Sequence, residues 1–392
     1  MARRTPSIYL DYSASTPLDD RVRAGMEPYF GQQFGNASSA HELGRSAESA
    51  VESARDRLAL LLHCKPQEIV FTSGGSESDN LAIRGAGLAM RRETGRTCIV
   101  TTRAEHHAVS RTVDQMDEWL GFESHFVGVD SAGRANLDEL HAVAAEAAVI
   151  SLMLANNEVG TLQNVTAAAD MAHAGGALFH TDAVQAGGQL MLDVQTLGVD
   201  LLSLSAHKFY GPKGVGLLFI REGSPIAPVQ TGGSHERGLR AGTLNVPGIV
   251  GMAAALDLAM QERDDRTHRI QRLRDQLVTG ILAQVPGVFL TGDPVDRLPS
   301  HASFAFEGVD GNLLLMHLDS RGVMASSGSA CKTGSPEPSE VLLAMGYSSD
   351  LALSSLRLTV GQGTTESEIE IAIDTVVEAV AAVRRLSAVY SG

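Results

Sequence analysis

Lys208 carries the most chemistry in this chain. It lies in the run Ser203-Leu204-Ser205-Ala206-His207-Lys208-Phe209-Tyr210-Gly211-Pro212, directly after the apolar stretch Leu201 to Leu204. Burial at a strand end disfavours the ammonium form and lowers a lysine pKa. A neutral amine there can form a Schiff base with a carbonyl. By itself such a lysine more often snorkels its head into water. Three other strand ends bear on the choice. Ala177 to Thr181 ends in Asp182, with Gln185 three residues on. Glu68 to Thr72 runs into Ser73-Gly74-Gly75-Ser76-Glu77-Ser78 and then a helical pattern. A strand, a Gly-rich turn and a helix start turn backbone N–H groups and a helix dipole toward an anion. Cys98 to Thr101 leads into Thr102-Arg103-Ala104-Glu105-His106-His107. An imidazole there can stack on a flat ring and move protons.

A condensing amine, a buried carboxylate, a phosphate cradle and a stacking imidazole are what pyridoxal phosphate (PLP) requires of a protein. In that reading Asp182 keeps the pyridine nitrogen protonated and Gln185 bonds the ring hydroxyl oxygen. The other reading of Asp182 is a cap for the segment that follows it. Cys331 adds a candidate nucleophile. It sits in Ser326-Ser327-Gly328-Ser329-Ala330-Cys331-Lys332-Thr333-Gly334-Ser335-Pro336, a small-residue run expected to be an exposed, mobile loop. Sulfur attack needs the thiolate, which access and the neighbouring Lys332 would favour. Cys64 follows a helix and Cys98 begins a strand, so both are expected to be structural.

These motifs occur in order and with consistent spacing: Glu105-His106-His107-Ala108, Asn156-Asn157-Glu158-Val159-Gly160, His180-Thr181-Asp182-Ala183-Val184-Gln185, the Lys208 run, and His235-Glu236-Arg237-Gly238-Leu239-Arg240-Ala241-Gly242-Thr243. With Tyr9-Leu10-Asp11-Tyr12, the run from Ser38 to Arg45 and the Cys331 segment, the set resembles the cysteine desulfurases of the NifS/IscS type, within the class V aminotransferase superfamily. The likeness spans nearly the whole chain. It implies the aspartate aminotransferase-like fold of PLP-dependent transferases: an α/β domain around a mostly parallel seven-stranded sheet with helices on both faces, plus a smaller α+β domain.

The resemblance also implies an activity and roles. L-cysteine would become L-alanine, with its sulfur held as a persulfide on Cys331 and passed to an acceptor protein. Destinations of that sulfur include iron–sulfur cluster assembly, tRNA thiolation and DNA phosphorothioation. Lys208 would bind PLP covalently and His106 would stack on it and act as acid or base. Gly75, Ser76, Ser205 and His207 would take the phosphate, and Asp182, Gln185 and Asn157 the ring. Thr243 would reach the phosphate in the partner subunit, which makes a homodimer. Arg357, Asn157 and Asn36 would hold the substrate carboxylate, where a guanidinium fork matches two oxygens. Some positions depart from the pattern. Gly74-Gly75-Ser76 stands where Gly-Ala-Thr is common, Asn36 is followed by no proline, Cys331 precedes Lys-Thr-Gly, and Gly361-Gln362-Gly363 replaces a Gly-Arg-aromatic run. A selenocysteine lyase is the near alternative, and a non-catalytic scaffold the remote one.

Composition narrows the classes. The chain has 392 residues, 44% hydrophobic and 20% charged, which suits two domains with a large core. A net charge of −15 argues against direct nucleic-acid binding while leaving a basic protein partner open. No apolar run reaches membrane-spanning length. Met1 to Pro6 carries charge with no signal core behind it. Three cysteines make no disulfide framework, and no ligand spacing for a metal appears. A cytoplasmic protein is expected.

The elements that must position these residues alternate. Strand-like runs fall at 69–72, 98–102, 125–129, 148–154, 177–181, 201–204 and 214–220, with helical patterns such as 47–62 and 137–147 between them. That alternation predicts a mostly parallel sheet, with ligands beyond its carboxyl edge. A long helix is expected from about Val250 toward Ala283, with Ile270, Leu273, Leu277 and Ile281 on its apolar face. Strands follow near Ser303–Phe306 and Leu356–Val360, a helix at Leu313–Leu318, and a last helix from Ile369 to Val380 behind a Thr365/Glu368 capping box. The expected division is a large domain at 16–260 and a small one from 1–15 with 261–392.

Overall fold

The computed structural model describes residues 7–328, 331–332 and 335–390; for 331–332, 335–336 and 387–390 it describes the backbone path alone. Its strands are β1 (Ile8–Tyr9), β2 (Ile69–Thr72), β3 (Cys98–Thr102), β4 (Glu123–Val127), β5 (Ala147–Ser151), β6 (Leu178–Asp182), β7 (Leu201–Ser205), β8 (Gly216–Ile220), β9 (Val288–Leu290), β10 (His301–Phe306), β11 (Val323–Met324), β12 (Cys331–Lys332), β13 (Ser335–Pro336) and β14 (Leu356–Thr359). Seven of them form one sheet in the order β2-β8-β7-β6-β5-β3-β4. All pairs are parallel except those made by β8, which runs against both β2 and β7. The carboxyl ends of β2, β3, β5, β6 and β7 therefore share one edge.

Apolar residues on both faces explain why the central strands are continuous hydrophobic runs rather than alternating ones. In β7, Leu202 and Leu204 enter one hydrophobic cluster and Leu201 enters the cluster on the other face. In β8, Leu217 and Phe219 take the first face and Leu218 and Ile220 the second. Within this sheet the edge strand β4 alternates between exposed and shielded positions. Helix Glu42–Leu62 packs along helix Val246–Gln261 and seals the first face.

A second core gathers Ile8 and Leu10 with Ile270, Leu273, Leu277, Phe304, Leu358, Val376 and Val383. Its sheet is antiparallel, in the order β14-β10-β9, while β1 pairs with β11 in parallel. The long helix expected across 250–283 is two helices, Val246–Gln261 and Arg263–Gln284. Glu262 breaks them with φ −97° and ψ 2°, and its carboxylate takes Arg21 and Arg266. The break lets the first helix bury in the main core and the second in the smaller one. The Thr365/Glu368 box forms as expected, with reciprocal bonds of 2.8 and 3.3 Å, and the helix behind it starts at Glu366. Within the Cys331 segment, where a loop was expected, Cys331 pairs antiparallel with Pro336 and Lys332 with Ser335.

Candidate active site

A cavity of about 220 Å³ opens at the carboxyl edge of the large sheet. Gly75, Ser76, His106 and Asn157 line it, together with Asp182, Gln185, Ser205, His207 and Lys208. Each follows the end of its own strand: Gly75 and Ser76 after β2, His106 after β3, Asn157 after β5, Asp182 and Gln185 from β6, and Ser205 to Lys208 from β7. Asn36 and Thr243 do not line this cavity; Asn36 instead accepts the Ser38 N–H at 2.9 Å. The Cys331 side chain lies outside the described residues.

Lys208 donates from Nζ to the carbonyls of Ser13 and Ala14, at 2.5 and 3.0 Å. Burial lowers its ammonium from 10.5 to about 8; the Arg357 cation adds to that, and Asp182 and Asp11 oppose it. The strand-end lysine is thus held inside the fold, and its amine loses its proton far closer to physiological pH than a free lysine does, though the ammonium still predominates at pH 7. Asp182 accepts the Val184 N–H at 2.8 Å. Burial raises its carboxyl pKa, against the pull of His106, Val184 and Lys208. His106 caps helix His107–Leu120 by accepting the Ala108 N–H at Nδ1, 3.0 Å away. That bond leaves the ring proton on Nε2. Burial lowers the imidazole pKa, so the ring is neutral near pH 7. His207 is pushed down to about 4, mainly by burial and then by Lys208 and Lys213, so it can offer a ring N–H but not a cation.

The Gly-rich turn is shaped by close approach. A Cβ at Gly75 would lie 2.7 Å from Val184 Cγ2, and one at Gly216 would lie 2.7 Å from Gly74. Only glycines let β8 and the Val184 turn press this closely on the helix start. Gln185, 7% exposed, donates to the Ser13 carbonyl at 3.1 Å.

Arg357, on β14, does not line the cavity itself but touches Asn157, which does. It pairs with Asp11 at 2.9 Å and donates to the Asn157 carbonyl at 3.0 Å, which leaves its buried Nε with no partner among the described residues. Asn157 Oδ1 is likewise buried and unpartnered. Asn157 Oδ1, with open hydrogen-bonding capacity, and the buried Asp182 carboxylate both line the cavity, and a bound, protonated ring system would satisfy them. The residues present therefore fit PLP.

Sequence reasoning missed three buried acids and a buried ion pair. Asp79, on the helix behind the Gly-rich turn, lines the cavity, and its Oδ1 accepts no hydrogen bond among the described residues, with His180 Nε2 3.7 Å away. Burial raises its pKa far above normal, helped by the charge of Asp182. Glu105 accepts the Met153 N–H at 2.7 Å, and burial raises it strongly too. Glu158 is pushed up to about 7 by burial, against Ser339 and Arg357. The Glu-His and Asn-Asn-Glu motifs contained the latter two, but motif position alone does not distinguish a solvated from a buried carboxylate. Arg55 and Glu236 form the ion pair, 2.7 Å apart. Burial raises the free thiols Cys64 and Cys98 to about 12 and 11, which leaves both poor nucleophiles.

A carboxyl-edge cavity of this kind, on this sheet, defines a protein class. The chain belongs to the aminotransferase class-V family, whose model matches residues 8–371. Within it, the similar proteins include cysteine desulfurases. A cysteine desulfurase IscS from Dictyoglomus turgidum is 43% identical over 381 residues, covering 97% of this chain and 96% of that one. Among solved structures, a NifS-like protein superposes with a TM-score of 0.89 at 36% identity, covering 96% of this chain and all of that one. A structure described as SspA in complex with cysteine has a TM-score of 0.80 at 31% identity, covering 92% of this chain and all of that one. Among the described residues no helix is long and apolar enough to cross a membrane.

Proposed function

We propose that this protein uses PLP to convert L-cysteine to L-alanine and carries the released sulfur as a persulfide on Cys331. The observation that carries the reading is the meeting of Lys208, Asp182, His106 and the Gly75–Ser76 turn in one cavity. Lys208 would hold the cofactor, Gly75, Ser76, Ser205 and His207 its phosphate, and Asp182, Gln185 and Asn157 its ring. Bound there, PLP supplies an electron sink that stabilises a carbanion at the substrate Cα.

The chain's own residues do the rest. Arg357 offers its unpartnered Nε to the substrate carboxylate, with Asp11 and the Asn157 carbonyl fixing its plane. The Lys208 amine, near 8, is a base of suitable strength for the Cα proton. His106 Nε2 holds a proton that it can give or share. The Cys331 thiolate attacks the substrate sulfur, and the Cβ–S bond breaks. The carbon keeps the electron pair and takes up a proton, so alanine leaves reduced at Cβ while the sulfur leaves as the outer atom of the persulfide. Thiols 64 and 98 are too basic to compete.

A homodimer, a protein sulfur acceptor and a cytoplasmic location belong to the same reading. Thr243 stands away from its own cavity, in keeping with service to a partner subunit. The acceptor's pathway is iron–sulfur cluster assembly, tRNA thiolation or DNA phosphorothioation. The division at 16–260 against 1–15 with 261–392 is supported by the two separate cores. The test is Cys331→Ser in the holoenzyme. The visible band of lysine-bound cofactor should remain while alanine and sulfide formation from L-cysteine is lost; full turnover in this variant would overturn the role of Cys331. A wild-type protein that takes up no PLP would overturn the whole reading.

A further inference from the structure

The Cys331 segment enters at Gly328 and leaves at Ser339, and both ends meet one side chain. Ser339 Oγ donates to Glu158 Oε2 at 2.5 Å and at the same time accepts the Leu342 N–H at 3.1 Å, capping helix Glu340–Ala344. Gly328 lies so close that a Cβ there would be 2.2 Å from Glu158 Oε2 and 3.2 Å from Ser339 Oγ. The Gly328 N–H also reaches Ser355 Oγ at 3.3 Å.

Glu158 itself stands on a rigid turn. Asn156 Oδ1 accepts the N–H groups of Glu158 and Val159 at 2.8 and 2.9 Å, and Asn156 Nδ2 donates to the Ala104 carbonyl at 2.8 Å. Val159 packs with Ala104, Val341 and Leu342 in a small hydrophobic cluster. Asn157, next in the chain, lines the cavity and its carbonyl holds Arg357. One turn therefore touches the cavity, the carboxylate-binding arginine and both ends of the cysteine segment.

We propose that Glu158 is a positioning residue for sulfur transfer: its carboxylate accepts from Ser339 and packs against Gly328, and so sets the register of Cys331 against the substrate held beside Asn157 and Arg357. This rests on the desulfurase reading above. Glu158 touches neither cofactor nor substrate in it; it acts through the two ends of the segment. Glycine at 328 follows from the same geometry, since a methyl group there would displace the carboxylate from Ser339.

The experiment compares wild-type holoenzyme with Glu158→Ala, Gly328→Ala, the double variant and Glu158→Gln. Cysteine binding is read from the change in cofactor absorbance, and sulfur transfer from the single-turnover rate of alanine formation. Binding should stay within about twofold in every variant. Alanine formation should fall roughly ten- to a hundredfold in each alanine variant, the range for a reacting group displaced by about an ångström. The double variant should be no slower than either single one, because both remove the same contact. Glu158→Gln keeps an acceptor oxygen for Ser339 and should restore most of the rate. Wild-type rates in Glu158→Ala and Gly328→Ala, losses that multiply in the double variant, or equal losses of binding and rate would each overturn the proposal. No alanine from the wild-type enzyme would instead overturn the desulfurase reading, and this role with it.

Discussion

The loop that carries Thr243 is held by a buried charge pair, and Glu236→Ala should release it. Glu236 and Arg237 both adopt left-handed backbone, with φ of 45° and 57°. Each such non-glycine residue costs on the order of 1–3 kcal/mol unless its surroundings enforce it. The enforcement is visible. Glu236 accepts from Arg55 at 2.7 and 3.1 Å and from the Phe71 N–H at 2.8 Å, while Arg237 donates to the Ile69 carbonyl at 2.7 Å. The paired side chains are 5% and 1% exposed, and the Arg55 guanidinium lies 4.6 Å from the centre of the Phe71 ring. Removing the carboxylate leaves a buried cation and an unpaired N–H, a loss of about 3–5 kcal/mol. Glu52, 3.2 Å from Arg55 and half-exposed, moderates that toward the lower end. Urea unfolding of the holoenzyme at fixed protein and PLP concentrations reads the loss. Replacing both partners, Arg55→Met with Glu236→Met, should recover most of the stability because no lone charge is left behind. It should not restore the loop's anchorage, since the Phe71 N–H still lacks its acceptor. A Glu236→Ala protein within about 1 kcal/mol of wild type, or a double variant less stable than the single one, would refute this account.

Capture of pyridoxal by cofactor-free protein should titrate with Lys208. With the amine at about 8 instead of 10.5, capture trapped by borohydride should rise through pH 8 and level off well below pH 10. A lysine depressed in the fold binds fewer protons there than in the unfolded chain between those two values, so its contribution to stability grows as pH rises through that window. A midpoint near 10 would mean an exposed lysine. Gly75→Ala should weaken PLP binding roughly 10- to 150-fold, about 1.5–3 kcal/mol for one lost bond to a charged group, as the Val184 contact forces the turn outward. Equilibrium dialysis would show it, and unchanged affinity would mean that the turn does not hold the phosphate.

Much of the site is local in origin and could be read in order along the chain. Asp182, Lys208 and the Gly75 turn each end an apolar strand, and hydrophobic runs of four or five residues bounded by glycine mark such ends clearly. The β2 and β3 boundaries coincide with the periodic runs that predicted them, and the capping box at Thr365 forms as spaced. Periodicity is a property of neighbours, so it survives without a structure. The break at Glu262 does not, because apolar residues continue on both sides of it and only the existence of two cores separates them.

Protonation and pairing belong to the fold. Asp11 and Arg357 are 346 residues apart, yet their contact aims the guanidinium. Glu105, Glu158 and Asp79 look like ordinary acids in the sequence, while burial shifts all three upward. Arg55 reads as one charged residue among several on an amphipathic helix, but the loop at Glu236 closes over it. The cost of a charge depends on how much water is removed around it and which partner replaces that water. The chain order lists the groups; packing of distant segments decides which of them stay charged, which stay neutral, and which stand close enough to act together.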